Sequence, residues 1–399
     1  MTPPPESALA HPGWRVVAGC FVMALCAWGW GFYGHSVYVA ELTRIMGWST
    51  GFVSGATTLY SLIGAAAIVW VGDLVARLGP RRFVLLGAAL LSLSVWMLGG
   101  IETKAELLLA YLVMTGGWAC LSGAAVSTLI GLWFDRRRGL ALSLAMNGAS
   151  AAGVIVAPAL VAAIHAWGFE AALRGSALVI LAALVLVALF AMGPPPVDPA
   201  AAAARAAPQG RGRVLRSRAF WAVSAPFCVA LFVQAAVLVH LVAWLAPRLG
   251  SQGAAFALTA ATGAAILGRF AFGAVVDRID QRRAAALSML SQAAALVLML
   301  ATPSDAALYA GAAIYGFSVG NLITLPSLIV QREFPAGDFA RVVGLATATQ
   351  QFAYAFGPGA VGLFRDAAGG YGWPLSLLVG LEVAAAAMVV LLRPPRQAA

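Results

Sequence analysis

Arg269 and Glu382 are the two charged side chains that fall deep inside long apolar stretches of this sequence. A guanidinium in apolar surroundings offers a planar fork of donors that matches a carboxylate, and a low dielectric makes that pairing far stronger than in water. Arg269 could equally snorkel along its stem to a polar boundary, or pair with an acid on a neighbouring helix. Glu382 could be a hydrogen-bonded packing carboxyl or a group that takes up and releases a proton. His35 and His240 add side chains whose charge changes near neutral pH, although a lone histidine on an apolar face is often a satisfied core residue. Thr347, Gln350, Gln351 and Tyr354 recur at offsets of three, four and seven. On a helix this aligns Thr347, one glutamine and Tyr354 on a single face, either as a polar rim for a carboxylate's lone pairs or as a helix–helix hydrogen-bonding seam. Tyr33, Asn147, Tyr315 and Asn321 are further candidates of the same kind.

The elements that must position these groups follow from composition. Of 399 residues 62% are hydrophobic and 10% charged, against roughly 25% charged in soluble proteins. With mean hydropathy at +0.89, too little polar surface exists to cover a water-soluble globule, so lipid is the solvent for most of the chain. Runs long enough to cross a bilayer, about 20 residues each, lie at Val16–Ala40, Gly51–Val71, Phe83–Gly100, Leu107–Trp133, Gly139–Ile164 and Arg174–Met192. A second six lie at Phe220–Leu245, Ala254–Val276, Ala284–Leu300, Ala307–Val330, Ala340–Phe364 and Gly372–Leu392. The runs are continuously apolar and not alternating, which excludes a β-barrel. The first comes after a proline-rich start without a basic segment or cleavage site and reads as a retained helix. Cys20, Cys26, Cys120 and Cys228 all sit in apolar runs and read as core residues, with no metal site or disulfide framework.

Charge sets the orientation. One set of loops carries Arg15, Arg77, Arg81, Arg82, the Arg136 to Arg138 triplet, five arginines from Arg205 to Arg218, Arg278, Arg282, Arg283, Arg332, Arg341, Arg393 and Arg396; the other carries Arg44, Lys104, Arg174, Arg248 and Arg365. This bias puts both termini in the cytoplasm. The basic residues are spread over short loops and not gathered on one face, so the net charge of +10 is no nucleic-acid signal. The longest interruption, from Gly193-Pro194-Pro195-Pro196 to Arg218, reads as a cytoplasmic linker.

Two echoes divide the chain. Gly72, Arg77, Arg81 and Arg82 recur as Gly273, Arg278, Arg282 and Arg283 at an offset of 201, and Arg136, Gly139, Leu140 and Ala141 recur as Arg341, Gly344, Leu345 and Ala346 at 205. They imply a duplicated six-helix unit, giving bundles over 1–192 and 220–399 joined by 193–219. The expected fold is an all-α integral membrane protein of twelve transmembrane helices in two pseudo-symmetric bundles, as in secondary transporters built from repeats. These residues resemble the major facilitator superfamily, whose loop between helices 2 and 3 carries a Gly-x-Leu-x-Asp-Arg-x-Gly-Arg-Lys-like motif. The first copy here has Ala76 where that motif has Asp; the second keeps Asp277 but has Asp280 where Gly is usual. Within the superfamily the chain is similar to bacterial monocarboxylate-transporter-like and oxalate:formate antiporter-like carriers, through Gly13-Trp14-Arg15, Gly47-Trp48-Ser49, Gly79-Pro80-Arg81-Arg82, Trp133-Phe134 with Arg136 to Ala141, and Arg269.

The resemblance implies a gradient-driven carrier of small organic monocarboxylates, alternating access about Arg269, in a bacterial inner membrane and working as a monomer, with protons as a possible second partner. It implies a gating role for Asp277 and Arg278, with Arg77 and Arg81 in the matching loop. A carboxylate at Asp277 would suit the positive end of the fifth helix. The oxalate antiporters pair the arginine with a helix 11 lysine. Here glutamines stand in that helix, and the single lysine, Lys104, is in an outer loop. The animal monocarboxylate transporters have an aspartate four residues before the arginine, and here it is Ala265. One cation without a fixed acid favours a monoanion. A drug or amphiphile antiporter of the same superfamily is the other expectation. Phosphate loops, metalloprotease motifs and nucleophile elbows are absent, so neither enzyme chemistry nor a cofactor is expected.

Overall fold

The computed structural model describes residues 6, 8, 11–48, 50–196, 210–302 and 304–393. Lipid offers no partner for backbone amides, so continuous apolar runs must close their hydrogen bonds internally. Helix is accordingly the only regular structure among the described residues. The chain crosses as α1 (Gly13–Met46), α2 (Thr50–Ile68), α3 (Val71–Gly99), α4 (Lys104–Gly131), α5 (Arg138–Trp167) and α6 (Phe169–Ala191). It then continues as α7 (Arg218–Gly250), α8 (Phe256–Arg278), α9 (Gln281–Ala301), α10 (Asp305–Glu333), α11 (Phe339–Ala368) and α12 (Gly372–Leu391). Ten of these are long and apolar enough to span a membrane on their own; α2 has a shorter apolar stretch, Gly55–Ile68. The twelve-helix expectation holds.

Glycines make two of the reversals. Gly79 (φ 73°) breaks α3 ahead of Pro80, and Gly250 (φ 70°) separates α7 from α8. A residue with a Cβ would be strained at either angle. In lipid, helices gain from close approach of small residues. Gly148 of α5 accordingly lies against the backbone of Phe21 in α1, and Gly316 of α10 against that of Ala261 in α8.

Two compact units result: Met1–Pro208 with Pro335–Ala348, and Gln209–Phe334 with Thr349–Ala399. In the first, α1 packs on α5, and α3 on α4 and α6. In the second, α10 packs on α9 and, through Gly316 and Ala261, on α8, and α12 packs on α9. The start of α11 belongs with the first unit. There the Phe339 ring lies 4.5 Å from the Arg138 guanidinium carbon, and Ala340 fills the space that Gly72 leaves open. Most of the expected linker, residues 197–209, lies outside the described residues.

Candidate functional site

In the first unit, α1 widens into a π-turn at Gly29–Tyr33. Such a turn upsets the regular hydrogen-bond ladder, and two tyrosines meet its carbonyls: Tyr38 donates to Trp30 O (3.1 Å) and Tyr60 to Gly31 O (2.8 Å). His35 comes directly after the turn and is enclosed by Tyr60, Tyr111 and Tyr38, with ring centroids at 4.6, 5.0 and 5.8 Å. Its Nδ1 lies 3.3 Å from the Tyr111 hydroxyl, which Thr57 reaches at 3.5 Å. Nε2 of His35 is buried with no hydrogen-bond partner. Trp118 adjoins Trp28, Phe32 and Tyr60, extending the cluster as an aromatic wall. Tyr33 lies over Gly153 of α5. Asn147, also on α5, is buried with both amide atoms unpartnered.

In the second unit Arg269 is 3% exposed. Its seat is made by glycine: a Cβ at Gly320 of α10 would collide with the arginine stem, and one at Gly268 with the Phe317 carbonyl. Asn321, next to that seat, is buried. Tyr315, six residues before Asn321, is within electrostatic reach of Tyr354 on α11 and Glu382 on α12. Gln350 is buried, while Gln351 and Tyr354 are half-buried. Arg269, Tyr315, Asn321, Gln350, Gln351 and Tyr354 thus all belong to the second unit, whereas Thr347 groups with the first.

His240 has both ring nitrogens engaged. A carbonyl can only accept, so Nε2 donates to Pro358 O (2.9 Å) and Nδ1 accepts from the Tyr371 hydroxyl (3.0 Å). This ties α7 to α11 and to the start of α12.

At the loop ends, Arg77, Arg81 and Arg278 are exposed and Asp277 is half-buried, its carbonyl accepting from Arg332 at 2.9 Å. The buried arginine of this motif is Arg282. Nε and Nη2 grip Glu333 at 2.6 and 2.7 Å, and Nη1 donates to Ala222 O (3.1 Å) and Val389 O (2.7 Å), joining four helices. Beside it Asp280 caps α9. Partial burial works to raise its pKa, but the Arg283 amide and the Arg393 guanidinium outweigh this and hold it below the usual carboxylate range. The amides of Asp135, Arg136 and Arg137, ahead of α5, are taken by Glu6, to which the sequence reading gave no role. That reading also missed Tyr60, Tyr111, Gln234, Gln292 and Gly320. Hydroxyl-bearing and amide side chains in apolar runs were the available signal for the first four.

Twelve apolar helices in two units define a polytopic integral membrane protein. A family model described as Major Facilitator Superfamily matches residues 19–255 and 245–399, and the chain belongs to that superfamily. It is a transporter and not an enzyme. Among similar proteins, MFS-type transporter 1 of Ophiocordyceps sp. (strain BCC 1869) is 29% identical over 330 residues, 80% of this chain and 71% of that protein. Monocarboxylate transporter 12-B of Danio rerio is 28% identical over 165 residues, covering 40% of this chain and 34% of the relative. The crystal structure of the E. coli fucose:proton symporter superposes with a TM-score of 0.76 at 17% identity, covering 96% of this chain and 99% of the other. At that identity the likeness speaks for the fold. These fungal and fish relatives give the expectation of a bacterial membrane no support beyond membrane insertion.

Proposed function

We propose that this protein carries small organic monocarboxylates down or against their gradients by alternating access, as a monomer with both termini in the cytoplasm. The observation that carries the reading is Arg269: a buried guanidinium midway along an apolar helix, resting on Gly320 with Asn321 alongside. A charge held in such surroundings is a functional group by default, and a planar fork selects a carboxylate. The similarity to a monocarboxylate transporter over 40% of the chain supports the same class. Gln350, Gln351 and Tyr354 are the neutral groups that would receive the carboxylate's remaining lone pairs. Asp277 and Arg278 serve the cytoplasmic gate, with Arg77 and Arg81 in the matching loop.

The test is uptake of labelled lactate, pyruvate or formate into proteoliposomes. Removing one partner of a buried charge-assisted pair costs about 2–5 kcal/mol, so Arg269→Ala should lower uptake at limiting substrate by about 30-fold or more. Wild-type rates in that variant would remove the arginine from the site. The aromatic wall of Trp28, Phe32, Tyr60 and Trp118 favours a second reading, export of amphiphiles. Efflux of an aromatic dye unaffected by Arg269→Ala, with no carboxylate uptake, would establish that one instead.

A further inference from the structure

We infer that Glu382 is a proton-binding site in the buried core of the second unit, and that it is the coupling group of the carrier proposed above. α12 presents Leu378, Glu382, Ala385 and Val389 on one buried face, and Glu382 is 0% exposed. Gln234 comes from α7, Gln292 from α9 and Tyr315 from α10, each at most 2% exposed. Their apolar neighbours Val233, Val237, Leu296 and Leu378 form one core cluster with Tyr315. Both Glu382 oxygens, both Gln292 amide atoms, the Gln234 carbonyl oxygen and the Tyr315 hydroxyl are buried without a hydrogen-bond partner.

Packing does not account for these buried polar groups. An unsatisfied buried polar group is costly, and apolar side chains of similar volume would fill the space without that loss. An ionised carboxylate there would be stripped of water with no ion pair among the described residues to offset it. As the neutral acid, Glu382 avoids that penalty and carries a single O–H donor.

The other charged or titratable groups facing α12 are few. α10 brings Tyr315, which is also within reach of Tyr354. α9 brings Arg282, which donates to Val389 O but is already neutralised by the Glu333 carboxylate of α10. Val389 lies seven residues past Glu382, about 10 Å along the helix. On α7, His240 is committed to Pro358 and Tyr371. Loading moves a proton from water to a Glu382 oxygen, and unloading returns it to water on the opposite side.

Glu382→Gln keeps the shape and removes the proton. In infrared spectra of purified protein at neutral pH, the wild type should show a protonated-carboxyl band that shifts in deuterium oxide and is missing from Glu382→Gln. In proteoliposomes one pH unit should drive about tenfold accumulation of labelled pyruvate for one proton per anion. Glu382→Gln should abolish that accumulation while retaining pyruvate counterflow. Several results would overturn the inference: a band that survives the substitution, a band insensitive to deuterium oxide, wild-type accumulation by the variant, or accumulation driven by a sodium gradient. Should the variant not fold, a shift of the wild-type band on isotopic labelling of glutamate decides the same point. Absence of any carboxylate flux in the wild type would refute the substrate reading alone, and the infrared result would still decide the proton site.

Discussion

Arg269 shows how far a single residue can be read from sequence. A charge in an apolar run stands out because lipid makes it expensive, so its depth and chemistry were legible without a structure. Its seat was not: Gly320 is 51 residues away in sequence and matters only because α10 places it under the arginine stem. Gly320→Ala should displace the guanidinium and raise KM for pyruvate by about tenfold, in keeping with the sensitivity of such sites to shifts near 1 Å. Gly316→Ala is the control, since its Cβ would strike the Ala261 backbone and not the arginine. It should lower thermal stability and leave KM alone. Equal KM values in wild type and Gly320→Ala would refute the positioning role. The two intramembrane histidines illustrate the converse. Sequence treats His35 and His240 alike, whereas the structure engages both nitrogens of His240 and leaves one of His35 without a partner.

At the scale of elements, the duplicated loop motif was readable as a repeat, yet its two copies do different work. Arg81 and Arg282 correspond at an offset of 201, but Arg81 is exposed and Arg282 is the buried centre of a four-helix clamp. The reason is the partner: Glu333 ends α10, and at the same offset in the first half stands Leu132. A carboxylate opposite an arginine compensates its charge and allows the pair to be buried. Arg282→Ala leaves Glu333 without its partner and should destabilise the protein by about 3–5 kcal/mol, read as unfolding in mixed detergent. Replacing both residues by Met should recover much of that loss. A single variant as stable as the wild type would show that the clamp contributes nothing.

At the scale of the whole molecule, orientation rests on the uneven distribution of 25 basic residues and is open to a direct check. Of the native thiols, Cys20, Cys26 and Cys120 are buried and Cys228 is half-buried, so background labelling should be low. A membrane-impermeant maleimide should label Glu102→Cys in intact cells and Arg283→Cys only after permeabilisation; the reverse pattern would invert the topology. Span count is determined by the sequence because it depends on local hydropathy, and the expected orientation and repeat are read there too because they rest on charge and motifs in short loops; none of these requires knowing a neighbour. Tertiary structure alone decides which polar side chains share a core. It buries Gln234, Gln292, Tyr315 and Glu382 on four helices, sets Arg269 over a glycine and buries Arg282 against Glu333. Those outcomes depend on which helix faces pack together, and in lipid that choice is set by close packing of small residues and pairing of buried polar groups, which no single run reveals.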